Sequence, residues 1–155
     1  MCAKNLVVLL VEDDPDHAEF VRRALRQQSP GVEVFVAVDG REALDYLGRR
    51  GAFADPSRSP RPDLVLLDLN LPKLDGFGVL RELKGSEQFR AIPAVILTTS
   101  DAEGDVTRAY AAHANSYLVK PPDYTSFMQL IAALDTYWRE WNRELPAGGE
   151  TTAAP

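Results

Sequence analysis

The sequence has little of what would tie the chain to itself covalently or hold it in a membrane. Its 155 residues include one cysteine, Cys2, so no internal disulfide can form, as expected in a reducing cytosol. The longest apolar runs have about six residues, whereas a helix needs roughly 20 to cross a bilayer. We therefore expect a cytoplasmic protein with no membrane partner.

Basic residues are also in short supply. Lysine and arginine number 17 against 23 aspartates and glutamates, which gives a formal net charge of −6, and there are two histidines. A phosphate backbone repels such a chain, so no nucleic-acid partner is expected. Hydrophobic residues make up 45% of the chain and charged residues 26%. These proportions and the length are those of one globular domain with one core.

Five short apolar runs predict β-strands. Most of them lack an alternation of apolar and polar residues, which is typical of strands covered on both faces of a parallel sheet. Their starts lie roughly 20 to 30 residues apart, the length of a strand–helix–strand unit. The runs are residues 6–11, 32–38, 64–67, 94–97 and 116–119.

Apolar residues at helical spacing between and after these runs predict five helices. The last stripe starts at Phe127 and continues through Tyr137, Trp138 and Trp141, so the final helix extends beyond the sheet. Strands alternating with helices indicate an α/β fold. We expect residues 1–145 to form a single domain with this extended helix. Residues 48–62 read as a surface loop, and residues 146–155, which lack core-forming side chains, are expected to be disordered.

Polar side chains follow the carboxyl ends of the predicted strands. Glu12 and Asp13 follow the first strand, Asp68 the third, Thr98 the fourth and Lys120 the fifth. In an open parallel sheet these ends form the edge that binds ligands. Carboxylates packed together raise one another's pKa unless a cation neutralises them, and Mg²⁺ prefers oxygen ligands. The sequence therefore predicts a magnesium site at this edge.

Other polar residues near this edge have simpler interpretations. Asp14 precedes Pro15, and aspartate followed by proline is typical of a helix start, so we expect Asp14 to cap a helix. We expect His17 and His113 to be exposed or packed on a helix, although His17 follows Asp13 closely enough to contact a transition metal. Three more aspartates precede helical stripes and are expected as caps or turn residues: Asp75, Asp101 and Asp123.

Four motifs occur in a characteristic order and spacing: VEDD, LVLLDLNLPKLDG, ILTTS and YLVKP. Together they resemble the receiver domain of two-component response regulators, over roughly residues 6–134. The resemblance implies a doubly wound, five-stranded parallel sheet of order 2-1-3-4-5 with five helices. It also implies a phosphoryl-accepting regulator rather than an enzyme. Such a protein catalyses only its own phosphorylation and dephosphorylation and signals through protein contacts.

The resemblance assigns roles to the residues at the strand ends. Asp68 matches the phosphoryl acceptor, and Lys120 matches the lysine that pairs with the phosphoryl charge. Asp13 is implied as a direct Mg²⁺ ligand, and Glu12 as a ligand through a bound water. Asn70 is implied as a ligand through its backbone carbonyl.

The resemblance also implies a switch. Thr98 matches the hydroxyl that turns toward the phosphoryl group, and Tyr117 matches the aromatic residue that swings inward on activation. The peptide bond between Lys120 and Pro121 is expected to be cis, because the cis form costs little free energy before proline.

Three segments resemble regulators paired with bacterial phytochrome histidine kinases. They are the long loop before PDLVLLDLNLPK, the segment TTSDAEGDV and the aromatic segment DTYWREWNRELP. The implied partner is a sensor histidine kinase of the phytochrome type. The surplus aromatic area of Tyr137, Trp138 and Trp141 predicts a homodimer interface. The alternative is that these rings fold back onto their own subunit.

Other functional classes stay open at this point. A haloacid-dehalogenase-like phosphatase also uses a phosphorylated aspartate, but its DxD pattern has aspartate where this chain has Asn70. A flavodoxin-like electron carrier needs a phosphate loop rich in serine, threonine and glycine after the first strand, where this chain has EDDPD. A binding module without chemistry is the remaining alternative.

Overall fold

The structure is a computed structural model that describes residues 5–143. A sheet of five parallel strands forms its centre, in the order β2-β1-β3-β4-β5, and this confirms the predicted doubly wound topology. Each predicted strand agrees with the observed one to within one residue at either end. The strands are β1 (Val7–Val11), β2 (Glu33–Ala37), β3 (Leu64–Leu67), β4 (Ala94–Thr98) and β5 (Ser116–Val119).

Five α-helices alternate with the strands, as the apolar stripes predicted. They are α1 (Pro15–Gln28), α2 (Gly40–Gly48), α3 (Gly76–Gly85), α4 (Glu103–Ala111) and α5 (Tyr124–Thr136). A short 3₁₀ turn covers Gly51–Phe53, and α5 continues as a π-turn over Tyr137–Trp141. The last helix thus continues to Trp141 with a backbone wider than an α-helix, and its predicted extent to residue 145 stays a prediction.

Helices cover both faces of the sheet. Leu9 and Val11 of β1 belong to the core under α2, α3 and α4, whereas Val8 and Leu10 belong to the core under α1 and α5. Successive strand residues point to opposite faces, so an uninterrupted apolar run is needed to fill both cores. Strand β5 differs from the expectation of two-sided burial, because it lies at the sheet edge and its Val119 is 40% exposed.

Aspartates begin most of the helices. The carboxylate of Asp14 accepts hydrogen bonds from the backbone amides of Asp16 and His17, at 2.9 and 3.3 Å, which confirms the predicted cap. Asp75 and Asp123 are confirmed as caps by the same kind of bond. Asp101 is not a cap, because α4 starts one residue later than such a cap requires and its N-cap, Ala102, has no side-chain acceptor.

The loop between α2 and β3 is held by its own polar groups. The buried hydroxyl of Ser59 donates to the carbonyl oxygens of Phe53 and Asp55, at 2.7 and 3.0 Å. The Tyr46 hydroxyl, on α2, donates to the carbonyl of Pro60 at 2.7 Å. The loop lies mostly at the surface, as predicted, but these bonds give it a defined shape.

The aromatic extension divides between the core and the surface. Trp138 is 8% exposed and packs in the core under α1 and α5, whereas Tyr137 is 55% and Trp141 76% exposed. The structure thus differs from the expectation that all three rings lie in an interface, because Trp138 folds back onto its own subunit. Leu145 and the predicted disordered tail, residues 146–155, lie outside the described residues. No helix among residues 5–143 is long and apolar enough to span a bilayer.

Candidate functional site

The carboxyl ends of four strands meet at one edge of the sheet. Backbone hydrogen bonds continue past the strand ends, from the amide of Asp68 to the carbonyl of Val11 at 3.0 Å and from the amide of Lys120 to the carbonyl of Thr98 at 2.7 Å. The amide of Glu12 bonds to Ala37 in the same way, at 3.0 Å. The parallel register therefore fixes the backbone of the predicted site residues side by side.

Three acids form a cluster at this edge. Glu12, Asp13 and Asp68 can each offer a carboxylate oxygen within 4.8 Å of the others. Glu12 and Asp68 are buried and Asp13 is exposed, so the cluster is open on one side. Its donors are all oxygen atoms, which suits a hard divalent cation such as Mg²⁺. The residues present therefore fit the metal that the sequence predicted.

Asn70 lies beside the cluster on the loop after β3. Its backbone amide donates to Oδ1 of Asp68 at 3.3 Å, and the residue is exposed. This bond orients the Asp68 carboxylate. A metal contact through the Asn70 carbonyl stays a prediction.

Lys120 provides the positive charge of the site. Its ammonium forms an ion pair with Oε1 of Glu12 and lies 3.5 Å from Oδ2 of Asp68. Burial raises the pKa of the Glu12 carboxyl from 4.5 to about 7, the hydrogen bond from Lys120 opposes this rise, and the nearby Asp68 adds to it. A metal cation would reverse the effect of burial by stabilising the charged carboxylate. The peptide between Lys120 and Pro121 was wrongly expected to be cis, since no cis peptide occurs in residues 5–143.

Thr98 and Tyr117 are connected through a residue that the sequence did not single out, Ser100. The Ser100 amide lies 3.4 Å from the buried Thr98 hydroxyl oxygen. The Tyr117 hydroxyl donates to the Ser100 carbonyl at 2.9 Å, and the Ser100 hydroxyl donates to Asp105 at 2.6 Å. Tyr117 is half-buried against the core. Its spacing from Ser100 in the chain gives no sign of this contact, which depends on the pairing of β4 with β5.

His17 also reaches the site, although the sequence favoured exposure or helix packing. Its Nδ1 atom lies 3.3 Å from Nζ of Lys120 and 3.5 Å from Oε1 of Glu12. The side chain is 42% exposed, so it stands at the rim of the pocket. Its position in the sequence could have indicated this contact. Helix α1 begins two residues after the acid pair, so a residue in its first turn remains near the same edge of the sheet.

Gly76 lets helix α3 start close to the acceptor. A Cβ atom at this position would lie 2.2 Å from the carbonyl oxygen of Asp68, a distance that no side chain allows. The Gly76 amide donates to the carbonyl of Leu69 at 2.9 Å. Glycine at this position therefore permits the tight packing that supports the loop after β3.

The fold and the site define a phosphoryl-accepting receiver, an α/β domain with acids and a lysine at the carboxyl ends of its strands. The chain belongs to the response regulator receiver domain family, which it matches over residues 8–132. Receiver domains of this family act with sensor histidine kinases in signalling and are not metabolic enzymes. The phosphatase and flavin-carrier alternatives are set aside by this match.

Two proteins of similar sequence support the same assignment. The chain is 42% identical over 137 residues to the "Probable methanogenesis regulatory protein FilR2" of Methanothrix harundinacea, which covers 88% of this chain and 86% of the relative. It is 38% identical over 134 residues to the response regulator Rcp1 of Synechocystis sp., with 86% and 89% covered. Both matches span nearly the whole relative.

Solved structures of similar proteins share the fold. The phosphorylated cyanobacterial phytochrome response regulator RcpA superposes with a TM-score of 0.85 at 35% identity, covering 90% of this chain and 98% of RcpA. The Mn²⁺-bound form of Rcp1 superposes with a TM-score of 0.83 at 37% identity, with the same coverage. One similar protein has thus been seen phosphorylated and another with a divalent ion bound.

Proposed function

We propose that Asp68 accepts a phosphoryl group from a phosphohistidine of a sensor kinase, in a reaction that requires Mg²⁺. The observation that carries this proposal is the position of the Asp68 carboxylate at the tip of β3. It lies beside the Glu12–Asp13 acid pair, and the Lys120 ammonium is 3.5 Å from its Oδ2 atom. A nucleophilic carboxylate flanked by a cation site and a fixed cation is the arrangement that phosphoryl transfer requires.

The reaction itself needs little more than positioning and neutralisation of charge. An oxygen of Asp68 attacks phosphorus, the bond from phosphorus to the donor imidazole nitrogen breaks, and its electron pair stays with the imidazole. The product is an acyl phosphate. Mg²⁺ held by Glu12, Asp13, Asp68 and the Asn70 carbonyl would neutralise charge on the phosphoryl oxygens, with Glu12 acting through a bound water. Lys120 supplies a second positive charge to the same oxygens.

The phosphorylated state acts through Thr98 and Tyr117. The new group carries roughly two negative charges and strong acceptor oxygens, so it attracts the Thr98 hydroxyl. Movement of that hydroxyl alters its contact with the backbone N–H of Ser100, and the carbonyl of the same residue accepts the hydrogen bond from the Tyr117 hydroxyl. Phosphorylation would therefore change the position of Tyr117 on the edge strand β5, at the surface of the protein. Dephosphorylation by the protein's own site returns Asp68 to its resting state.

We assign the kinase partner to the phytochrome type. One of the similar solved proteins supports this partner: RcpA is a cyanobacterial phytochrome response regulator, and its structure superposes over 90% of this chain. The loop before β3, the segment TTSDAEGDV and the aromatic extension are the features in which the chain resembles such regulators. Phosphotransfer rates from purified phytochrome-type and other histidine kinases, compared at equal concentration, test this assignment.

We further propose that residues 1–145 form one receiver domain and that it pairs as a homodimer. Tyr137 and Trp141 support the dimer, because both are large, exposed aromatic side chains on the extension after α5. Aromatic rings of this size are common anchors of interfaces. Trp138 is left out of the proposed interface because it is already buried within its own subunit.

Intact-mass spectrometry tests the central proposal. Wild type incubated with acetyl phosphate and Mg²⁺ should gain the mass of one phosphoryl group, and an excess of chelator should prevent this. Asp68→Asn should stay unlabelled. Asp75→Asn is the matched control, because asparagine also caps helices and the site is left intact. Equal labelling of Asp68→Asn and wild type, or full labelling in chelator, would refute the assignment.

A further inference from the structure

A tight turn in the loop after Asp68 is centred on Lys73. The amide of Leu74 donates to the carbonyl of Pro72 at 2.8 Å, and a hydrogen bond between residues two apart closes a three-residue γ-turn. The φ angle of Lys73 is 66°, in the left-handed region that a lysine rarely adopts. A γ-turn whose central residue has a positive φ is the rare and strained form. Such a conformation persists only where the surrounding contacts hold it.

An ion pair ties Lys73 to the turn between β2 and α2. The exposed Lys73 ammonium lies 3.4 Å from Oδ2 of Asp39. The Asp39 side chain is buried, and its Oδ1 accepts a hydrogen bond from the amide of Glu42 at 2.7 Å, which caps α2. A carboxylate that is fixed by a helix cap offers the lysine an acceptor at a constant position. One aspartate therefore both starts a helix and pairs with the strained turn.

Backbone packing joins the same two turns. Gly40, next to Asp39, approaches Leu74 so closely that a Cβ atom at Gly40 would lie 1.9 Å from the Leu74 carbonyl oxygen. This distance excludes any side chain at Gly40. Leu74 directly follows Lys73, and its own side chain packs against the core under α2, α3 and α4. The ion pair between Asp39 and Lys73 thus lies beside a direct contact between the two backbones.

The turn at Lys73 belongs to the same short loop as a predicted metal ligand, Asn70. The carbonyl of Leu69 accepts hydrogen bonds from the amide of Leu71 at 3.2 Å and from that of Gly76 at 2.9 Å. The first bond encloses Asn70, and the second closes the loop at its base with Lys73 inside it. Because the closed loop is short, the position of the Asn70 carbonyl depends on how the turn at Lys73 is held.

We propose that Lys73 is a positioning residue, whose ion pair with Asp39 holds the loop after β3 so that the Asn70 carbonyl is in place for a divalent cation. The inference rests on the proposed function, in which this carbonyl and the acid cluster together bind Mg²⁺. The pair contributes to Mg²⁺ affinity without contacting the cation. An ion pair with an exposed partner has a modest effect, so its loss weakens Mg²⁺ binding and does not abolish it.

Two substitutions remove the ion pair and keep the local backbone. Lys73→Asn removes the ammonium, and asparagine tolerates a positive φ. Asp39→Asn removes the carboxylate charge and keeps an acceptor for the Glu42 amide, since asparagine also caps helices. If Asp39→Asn does not fold, as judged by circular dichroism, Asp39→Ser replaces it, because serine is another good cap.

Two further variants serve as controls. Lys73→Arg keeps a positive charge at the turn and should restore what Lys73→Asn loses. Arg49→Asn is the matched control for the backbone, because Arg49 also has a positive φ, 52°. It lies at the far end of α2, where it caps the helix. A general effect of asparagine at a left-handed position would therefore be seen in both asparagine variants.

Calorimetric titration of Mg²⁺ into the metal-free protein compares these variants. Lys73→Asn and Asp39→Asn should each bind Mg²⁺ about two- to fivefold more weakly than wild type. The double variant should bind no more weakly than the weaker single variant, because residues that act as one pair are not additive. Lys73→Arg and Arg49→Asn should bind within about 1.5-fold of wild type.

Phosphorylation by acetyl phosphate adds a second readout. In Lys73→Asn and Asp39→Asn, the Mg²⁺ concentration that gives the half-maximal rate should rise by the same factor as the dissociation constant. The rate at saturating Mg²⁺ should be that of wild type, because the variants retain Asp68, Lys120 and the acid cluster. A role in general stability would not change the Mg²⁺ dependence in this way.

Each outcome has one reading. If Lys73→Asn and Asp39→Asn lower the free energy of unfolding in urea but bind Mg²⁺ as wild type does, the inference is overturned and the pair is only structural. Additive weakening in the double variant, or equal weakening in Arg49→Asn, overturns it as well, since the effect would not belong to the pair. A wild type that does not bind Mg²⁺ refutes the proposed function itself.

Discussion

The hydroxyl of Tyr117 donates a hydrogen bond to the backbone carbonyl of Ser100, 2.9 Å away. This bond joins the edge strand β5 to the loop that follows β4. The amide of the same serine faces the Thr98 hydroxyl at 3.4 Å. One residue thus lies between the hydroxyl expected to meet the phosphoryl group and the aromatic side chain expected to move.

The first prediction concerns this connection. Thr98→Ala should still be phosphorylated on Asp68, because it retains Asp68, Lys120 and the acid cluster. It should not pass the signal on, since the hydroxyl that responds to the phosphoryl oxygens is missing. NMR of Tyr117 with and without a beryllofluoride mimic measures the difference. Wild type should shift on adding the mimic and Thr98→Ala should not, whereas equal shifts would disprove the switch.

The second prediction concerns pH. The Glu12 carboxyl has a pKa of about 7 in the metal-free protein, and metal binding must displace its proton. Mg²⁺ affinity should therefore rise between about pH 6 and pH 8, at a slope of up to about tenfold per pH unit below the pKa. Calorimetry at several pH values measures the slope. Glu12→Gln should flatten it, and an unchanged slope in that variant would assign the effect to another group.

The same pKa has a consequence for stability without metal. The folded protein binds the Glu12 proton more tightly than the unfolded chain does, because the pKa is raised from 4.5 to about 7. The stability gained from this proton is complete below pH 4.5 and is lost as the pH rises through about 7. Urea unfolding in chelator should therefore show wild type losing more stability than Glu12→Gln between about pH 5 and pH 8.

The third prediction separates the two tryptophans of the extension. Trp138→Ala should lower the free energy of unfolding by about 3 to 5 kcal/mol, because it empties a buried position. Trp141→Ala and Tyr137→Ser should leave the stability of the monomer nearly unchanged, since both side chains are exposed. They should instead weaken self-association.

Sedimentation analysis tests the proposed dimer, with and without the phosphate mimic. Each covered aromatic ring buries roughly 150 to 250 Å², so losing two rings from each subunit should shift the dimer toward monomer. Wild type that remains monomeric at tens of micromolar in both conditions would exclude the dimer. If a Tyr137→Ser/Trp141→Ala double variant dimerises as wild type does, the interface must lie on another face of the protein.

Apolar periodicity was enough to predict the alternating α/β architecture, and the resemblance to receiver domains supplied the strand order. Uninterrupted apolar runs can be stable only between two covered faces, and parallel strands bring their carboxyl ends to one edge. For this reason Glu12, Asp13, Asp68, Thr98 and Lys120 could be placed together without a structure. The start of α1 after Asp14 could also be predicted, because an aspartate before proline caps a helix through hydrogen bonds to residues two and three positions ahead.

Contacts between distant segments could not be predicted from these local patterns. The approach of His17 to Lys120 depends on how α1 packs beside the end of β5, and the bond from Tyr117 to Ser100 depends on the pairing of β4 with β5. No spacing along the chain encodes either distance, because each joins residues that are far apart in the sequence.

In the aromatic extension, too, the sequence pattern did not predict which side chains are buried. Residues three apart on an α-helix share a face, so the sequence grouped Trp138 with Trp141. The amide of Asn142 instead bonds to the carbonyl of Tyr137 at 2.8 Å, five residues back, which widens the turn. Trp138 is buried in the core and Trp141 lies in solvent. An apolar stripe specifies that rings must be covered, but only the path of the folded backbone decides which rings the protein's own core covers.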